Sequence, residues 1–303
     1  MGDAIVDVST WLVLADEPAG ADGKAWLTPP GAERSESRAD WWLFKPAKTG
    51  LVKATGGQHA TEYRRNDDRV ERIASQLARC LGLPAAEVRL ARRDALEGCL
   101  SRYAIPDGWS MASGDLVLAE FDGYVSCAND PKVKERSGHN LSNIQVLMDG
   151  LFGPPFGAFS DVPAFDVFAG YLVFDAWIAN TDRHAVNWAM LYRGNDVCLA
   201  PSFDHGSALG SGLRDTGIPA DVDAWCARGM AGRFEGGRSR TLVDLALDAV
   251  QRGGPKAGEW LRKLAAITPE QSREILRGVP GLSVATSTFM GTVLETNQRR
   301  LCA

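Results

Sequence analysis

From the N-terminus, apolar positions come in short runs broken by turn residues. "AIVDVSTWLVL" (4–14), "KAWLT" (24–28) and "DWWLFKP" (40–46) are continuous or alternating apolar runs. They are separated by "ADEPAGADG" and "PPGAERSESRA", and together predict three strands. The period then changes. Val70, Ile73, Ala74, Leu77, Ala78 and Leu81 share one helical face while Arg69, Arg72, Gln76 and Arg79 lie elsewhere, which predicts a helix over 67–81. Gly82 ends it and Pro84 follows, as at a helix C-terminus. "EGCLSRYAI" (97–105) predicts a further strand. Residues 106–163 are rich in Gly, Pro, Asp and Ser; within them "CANDPKVKERSGHN" (127–140) reads as an exposed connection and 141–149 as a short helix.

Beyond residue 163 the pattern is helical. Residues 164–179 are apolar nearly all round, so that helix should be buried. "WAMLY" (188–192) and "VCLA" (197–200) form a strand pair across the turn "RGND". Later helices are expected to begin at Ser239 and Thr268, where Thr268, Pro269 and Gln271 make a capping-box signature. No internal repeat is evident. The expectation is an α+β chain with a small β-rich lobe, 1–105, and a larger, mainly helical lobe, 106–303.

Composition narrows the function classes. The chain has 303 residues, 45% apolar and 23% charged, with a net charge of −5, so there is no general basic excess to attract nucleic acid or a membrane surface. Six scattered cysteines include no C-x-x-C pair, which argues against zinc and against a disulfide framework. The start "MGDAIVDVSTWLVLADEP" has no basic segment ahead of an apolar run, and Val6 stands where a myristoylation signal needs Ser or Thr. No run of about twenty apolar residues occurs. These features predict a reduced, cytoplasmic setting.

The candidate chemistry lies after the buried helix, in "IANTDRHAVNW" (178–188). Asp182 opens a D-x-x-x-x-N spacing that Asn187 closes, and after the strand pair "PSFDHGS" presents Asp204 with Gly206 two residues on. Phosphoryl transfer from ATP needs such a set: one carboxylate to accept or orient the acceptor's hydroxyl proton, and a carboxylate and an amide oxygen to hold Mg²⁺. The hairpin should bring Asn187 and Asp204 together, because each lies at the open end of one arm. Each group alone would suit a turn or a cap; the order and spacing together match the catalytic core of protein kinases. Arg183 is expected to pair with a nearby acid, the loop itself included, and His184 to orient the loop by hydrogen bonds. Lys45 closes an apolar strand, where an ammonium needs a partner, and Glu71 on the helix is the candidate. "AGADGKAW" supplies Gly20, Gly23 and Lys24 as a phosphate loop, although it is neither G-x-G-x-x-G nor a P-loop and also fits a plain hairpin turn.

Together these residues resemble the HipA-like Ser/Thr kinases. "NTDRHAVNW" looks like that family's N-x-D-R-H-x-x-N catalytic loop and "LAPSFDHGS" like its L-A-P-x-[YF]-D-x-x-S metal-binding segment. "WLFKP" is similar to the segment with the nucleotide lysine, "ERIASQLARCLGLP" to the N-lobe helix and "GCLSRYAI" to the strand entering the hinge. The resemblance implies a bilobed protein-kinase-like fold with ATP and Mg²⁺ between the lobes. Asp182 is then the catalytic base, grouped with Arg183 and His184; Asn187 and Asp204 are metal ligands; Lys45 contacts phosphate; and the backbone of Ser101, Arg102 and Tyr103 meets adenine. The family's toxins phosphorylate a protein and partner an antitoxin. The chain lacks the length for the larger members' extra N-terminal subdomain, which helps contact that partner, and "DEPAGADG" lacks the serine through which toxins of the family are silenced. The expected function is an ATP- and Mg²⁺-dependent kinase for protein Ser or Thr. The alternatives are a lipid or small-molecule kinase, since phosphatidylinositol kinases share a D-R-H-x-x-N loop, and a nucleotide-binding pseudokinase.

Overall fold

The computed structural model describes residues 3–16, 23–32, 37–52, 60–126 and 136–303. The chain is α+β. Its first part builds a six-stranded sheet from β1 (Val6–Asp7), β2 (Leu12–Asp16), β3 (Ala25–Thr28), β4 (Trp42–Pro46), β7 (Val88–Arg93) and β8 (Leu96–Arg102) in the order β1-β7-β8-β4-β3-β2. The pairing is antiparallel except for β1, which runs parallel to β7. Between β4 and β7 come a separate hairpin, β5 (Thr49–Val52) with β6 (Thr61–Arg64), and the helix α1 (Asp67–Leu81).

The period-2 rule sorts the sheet's two faces. Leu27, Phe44, Ala91 and Leu100 pack together on one. Leu90, one residue from Ala91, joins the other, where Val70, Ile73, Ala74 and Leu77 of α1 lie. The α1 face therefore belongs to the same continuous core as the helical part of the molecule. Gly82 ends α1 in the left-handed conformation its sequence position predicts, at φ 71°. The predicted strand at 4–14 is in fact two. Val8 is buried, a turn follows at Ser9–Thr10, and the Ser9 hydroxyl donates to Asp7 Oδ1 at 2.6 Å, so the chain reverses and enters the sheet again at its far edge.

The second part surrounds α4 (Ala164–Trp177), every residue of which is buried. In chain order it also contains β9 (Ser110–Ser113), α2 (Gly114–Leu118), α3 (Leu141–Leu147), β10 (Ala189–Arg193), β11 (Asp196–Leu199), α5 (Val222–Ala227), α6 (Leu242–Arg252), α7 (Glu259–Ala266), α8 (Pro269–Gly278) and α9 (Val284–Cys302). Helices α6, α7 and α9 pack on α4. The expected hairpin gains a third strand, β9, in the order β11-β10-β9. Thr268 caps α8 with the predicted capping box. The helix expected from Ser239 begins later: Ser239 ends a 3₁₀ turn, and Thr241 with Asp244 forms the capping box of α6. The connection expected to be exposed at 127–140 is described only from Arg136. There Arg136 and His139 are buried at 2% and 0%, because the segment docks on the loop before α6. Among the described residues no helix is long and apolar enough to cross a membrane.

Two close approaches fix the strands that carry chemistry. A Cβ on Gly98 of β8 would lie 2.2 Å from the carbonyl oxygen of Lys45 in β4, and one on Gly114 would lie 2.1 Å from the Trp188 ring. Gly98→Ala must therefore push β4 from β8, and a loss of about 1–3 kcal/mol is expected from overpacking. A urea unfolding curve unchanged from wild type would show that β4 is not held there.

Candidate active site

Three chain segments converge on one ammonium. Lys45, near the end of β4, donates from Nζ to Glu71 Oε1 at 2.9 Å and to Asp204 Oδ1 at 2.8 Å. The partner predicted for Lys45 is thus present, together with a second one from the distant segment after β11. The other oxygen of Glu71 accepts from the backbone N–H of His205 at 3.1 Å. The chain after α1 sets this up: Ser202 N donates to Pro84 O and Ala86 N to Ser202 O, both at 2.9 Å, so the approach to Asp204 is stitched to the exit of α1. Asp204 itself sits at φ 62°, in the left-handed region that Asp tolerates better than most residues.

The electrostatics follow from two carboxylates competing for one cation. Burial alone would lower the pKa of Lys45, but Glu71 and Asp204 outweigh it and hold it well above its usual value. The Lys45 charge holds the Asp204 carboxyl far below the usual carboxylate range, with Lys24 adding to the effect. Burial pushes Glu71 the other way, upward, against the pull of Lys45. Asp204 is therefore ionised at neutral pH.

The second cluster is the loop after α4. Arg183 is buried and makes a bidentate pair with Asp175 of α4, Nε to Oδ2 at 2.7 Å and Nη2 to Oδ1 at 2.9 Å. Its remaining donors reach Asn187 O at 2.5 Å and Ser202 Oγ at 2.9 Å. Its acidic partner thus lies in the preceding helix rather than in the loop. Asn180 ties the same pair to the loop, donating to Asp175 Oδ1 at 2.8 Å and accepting from Asp182 N at 3.2 Å. Asp182 is left with its carboxylate partly open. Oδ1 accepts from Arg233 Nη2 at 2.6 Å and Nε at 2.8 Å, and Oδ2 faces Ser207 Oγ at 3.4 Å. Ser207 follows Asp204 by three residues, so positions 182 and 204 lie on the same side of the molecule.

Asn187 donates from Nδ2 to Asp182 O at 2.8 Å, which commits its amide nitrogen to the loop and leaves its oxygen as the atom it can offer. His184 Nε2 lies 3.8 Å from Asp182 Oδ1, and its buried Nδ1 has no partner among the described residues. Burial lowers its pKa, so it is neutral at pH 7.

The remaining predicted residues divide. Gly23, at φ 67°, and Lys24 lead into β3, and Lys24 is close enough to Asp204 to act on its charge; Gly20 lies outside the described residues. Ser101 is paired within the sheet between Leu43 and Val88, while Arg102 N and Tyr103 N donate to Glu87 O and Trp41 O. The N–H groups of Arg102 and Tyr103 are therefore occupied by the β-rich part itself. Two residues of the site are not among those the sequence singles out. Asp175 is visible as an acid inside an otherwise apolar helix. Arg233 lies in "RGMAGRFEGGRSR", where the only cue is arginine repeated among glycines, whereas Ser207 closes the "LAPSFDHGS" segment that the sequence already marks.

A sequence profile for the HipA-like C-terminal domain matches residues 17–272. The chain belongs to that family. No curated protein matches it in sequence. Among solved structures, the Helicobacter pylori proinflammatory kinase CtkA superposes with a TM-score of 0.66 at 17% identity, covering 99% of this chain and 95% of that one. Hydra Fam20, solved with sugar, gives 0.50 at 14% identity over 97% and 86%. HipA of Shewanella oneidensis, solved with HipB and operator DNA, gives 0.46 at 12% identity over 85% of this chain and 65% of that one. The superpositions on CtkA and Fam20 show that the fold of this HipA-like chain is kinase-like.

The buried groups can be tested directly. Asp175→Ala leaves the Arg183 guanidinium uncompensated in the interior and should cost about 3–5 kcal/mol in denaturant unfolding. A loss below about 1 kcal/mol, the level of an exposed pair, would show that the pair does not anchor the loop. A second test concerns His139, whose Nδ1 bonds Arg233 O at 2.8 Å and whose Nε2 accepts from Trp188 Nε1 at 3.2 Å, which leaves no place for a second proton. Burial lowers its pKa to about 4. The unfolded chain binds that proton from about pH 6.5 downward and the folded chain does not, so stability must fall as pH drops from about 6.5 to 4. The contribution of His139 is on the order of 3 kcal/mol. Unfolding midpoints of His139→Gln across that range should fall less steeply than those of wild type; parallel slopes would remove His139 as the cause.

Proposed function

We propose that this protein is an ATP- and Mg²⁺-dependent kinase that transfers the γ-phosphoryl group to a protein Ser or Thr hydroxyl, with nucleotide held between an N-lobe, 1–105, and a C-lobe, 106–303. The observation that carries the reading is the Lys45 bridge: one ammonium joined to both Glu71 and Asp204, with Asp182 on the same side of the molecule. An ammonium held by a helix carboxylate is placed to contact nucleotide phosphates, and the neighbouring Asp182 is placed to meet an acceptor hydroxyl.

The donor set fits the metal. Asp204 is ionised, its side chain is 45% exposed, and Lys45 is hydrogen-bonded to Oδ1; the Asn187 oxygen is the second hard ligand. Among the described residues no cluster of three or more His, Cys, Asp or Glu could hold a metal alone, so the remaining ligands would be phosphate oxygens and water, as Mg²⁺ prefers. When bound, the ion would neutralise phosphate charge and orient the γ-phosphoryl group. In this reading Asp182 orients the acceptor hydroxyl and takes its proton, Arg183 and Asn180 keep the loop in place, and Ala104 with Ile105 meets adenine. His184, being neutral and set back from the Asp182 carboxylate, supports the loop rather than moving a proton. Retention of Lys45, Glu71, Asp182 and Asn187 with Asp204 argues against a pseudokinase. The net charge of −5 disfavours a membrane-bound lipid as acceptor.

Asp182→Ala should leave ATP affinity near wild type and lower phosphoryl transfer by about 10²-fold or more. Asp204→Ala should instead remove the dependence of nucleotide binding on Mg²⁺. Labelled ATP and calorimetry with and without metal read the two effects. Transfer by Asp182→Ala at the parent rate would sink the base assignment, and unchanged metal dependence in Asp204→Ala would sink the ligand.

A further inference from the structure

Beside Asp182, and away from Lys45, Glu71 and Asp204, the structure has a cavity of about 760 Å³. Its walls include Asp182, Ser207, Arg228, Met230, Arg233 and Arg238, and Asp182 is the one carboxylate among its described lining residues. Three guanidiniums around one cavity are at odds with a chain whose net charge is −5. They come from one glycine-rich stretch, 228–238, between α5 and α6.

The stretch is held firmly. His139 Nδ1 donates to Arg233 O at 2.8 Å, and the His139 ring stacks on Phe234 with centroids 4.3 Å apart. Glu235 N donates to His139 O at 2.9 Å, and Glu235 Oε2 accepts from Gly138 N at 3.1 Å and Asn140 Nδ2 at 2.6 Å. Ala231 N donates to Arg240 O at 2.9 Å, closing the loop across its base. Arg233 is thereby fixed against Asp182, while Arg228 and Arg238 are exposed on the cavity wall.

The geometry points to an acceptor subsite that selects an anionic side chain, carboxylate or phosphoryl, near the phosphorylated residue of an acidic protein substrate. This inference rests on the kinase reading of Asp182 and adds the substrate class. An acceptor hydroxyl brought to Asp182 must leave its neighbouring residues over this cavity, because the other side of Asp182 leads to the nucleotide groups. Guanidinium forks match both carboxylate and phosphate in planar, two-point hydrogen bonds. A basic acceptor sequence would be disfavoured there, because even with Arg233 paired to Asp182 the lining carries more guanidiniums than carboxylates among its described residues. Arg233 acts differently from the other two arginines. It holds the Asp182 carboxylate through Oδ1, so Oδ2 is the oxygen turned to the hydroxyl.

The test uses the whole chain with Mg²⁺, ATP and a peptide set with one Ser acceptor. Each of the four flanking positions is in turn Gln, Glu or phosphoserine. Wild type should favour Glu or phosphoserine over Gln at one or more positions by about tenfold or more in kcat/KM, the equivalent of about 1.4 kcal/mol. The Glu and phosphoserine arms tell a carboxylate site from a phosphoryl site. Arg228→Gln/Arg238→Gln should bring the ratio to within about twofold, and Arg228→Glu should turn the preference toward Lys. An equal rate on all peptides in wild type, or an undiminished ratio in the double variant, overturns the inference. So does a double variant that loses ATP affinity while keeping its peptide preference. Should no peptide be phosphorylated, the protein-kinase reading fails by itself, and calorimetry of the phosphoserine peptides still reads the cavity. Binding by wild type that the double variant loses sustains the anionic subsite, and equal binding or none overturns it.

Discussion

An arginine side chain in a protein interior must be neutralised where it stands, because it cannot shed its proton and desolvation is costly. Arg183 meets that constraint with Asp175, both nearly inaccessible to water, and the rest of the site is arranged around the pair. The guanidinium fork uses one side on the helix carboxylate and the other on Asn187 O and Ser202 Oγ, so it grips the end of the loop before β10 and the first polar residue after β11 together. His205 lies beside the same hydroxyl, its Nε2 2.8 Å from Ser202 Oγ, and is kept neutral by burial. A hairpin alone would set the distance between its arms but leave both open ends free to splay. The buried pair removes that freedom.

The bridge at Lys45 depends on this anchoring. Asp204 adopts a left-handed backbone conformation, which costs energy for a residue with a Cβ and persists only when its surroundings over-determine it. Those surroundings are the Pro84–Ala86 stitch on one side and the hydrogen bond from His205 N to Glu71 on the other. Glu71 thus does two things: it partners the lysine of the sheet and receives the backbone of the segment after β11. A change of its charge would loosen both.

Legibility in the sequence followed the range of the forces involved. The helix 67–81 and its glycine stop were readable because periodicity and capping are local, and so was the strand pair around "RGND". That the loop of Asp182 and the segment after β11 would meet was readable because the hairpin maps sequence distance onto space. Lys45 could be suspected from its apolar strand, but not that it would serve two carboxylates, since Asp204 lies 159 residues away. The strand β9, the polar hairpin β5–β6 and the split of 4–14 were lost because their apolar content is low or interrupted. "ERSGHN" looked like solvent-exposed polar chain; Arg136 and His139 are buried by packing against 231–240, a contact that no local pattern encodes.

The arginines beside Asp182 show how a site can act against the charge of its own chain. A net charge of −5 is felt as an average, and salt screens it within about 8 Å at physiological ionic strength. At the cavity the nearest charges are the guanidiniums of Arg228, Arg233 and Arg238 together with the Asp182 carboxylate, and at contact distance little salt or water lies between them and a bound anion. Repulsion at long range is therefore weak while attraction at contact is strong, so the cavity would discriminate among acceptors at the docking step rather than by steering them from solution. Selectivity of that kind would rest on the geometry of the 228–238 stretch, which hangs on His139. The support built on Arg183 and the one built on His139 are joined, because Trp188 Nε1 donates to His139 Nε2 at 3.2 Å and Trp188 follows the Asn187 whose carbonyl Arg183 holds.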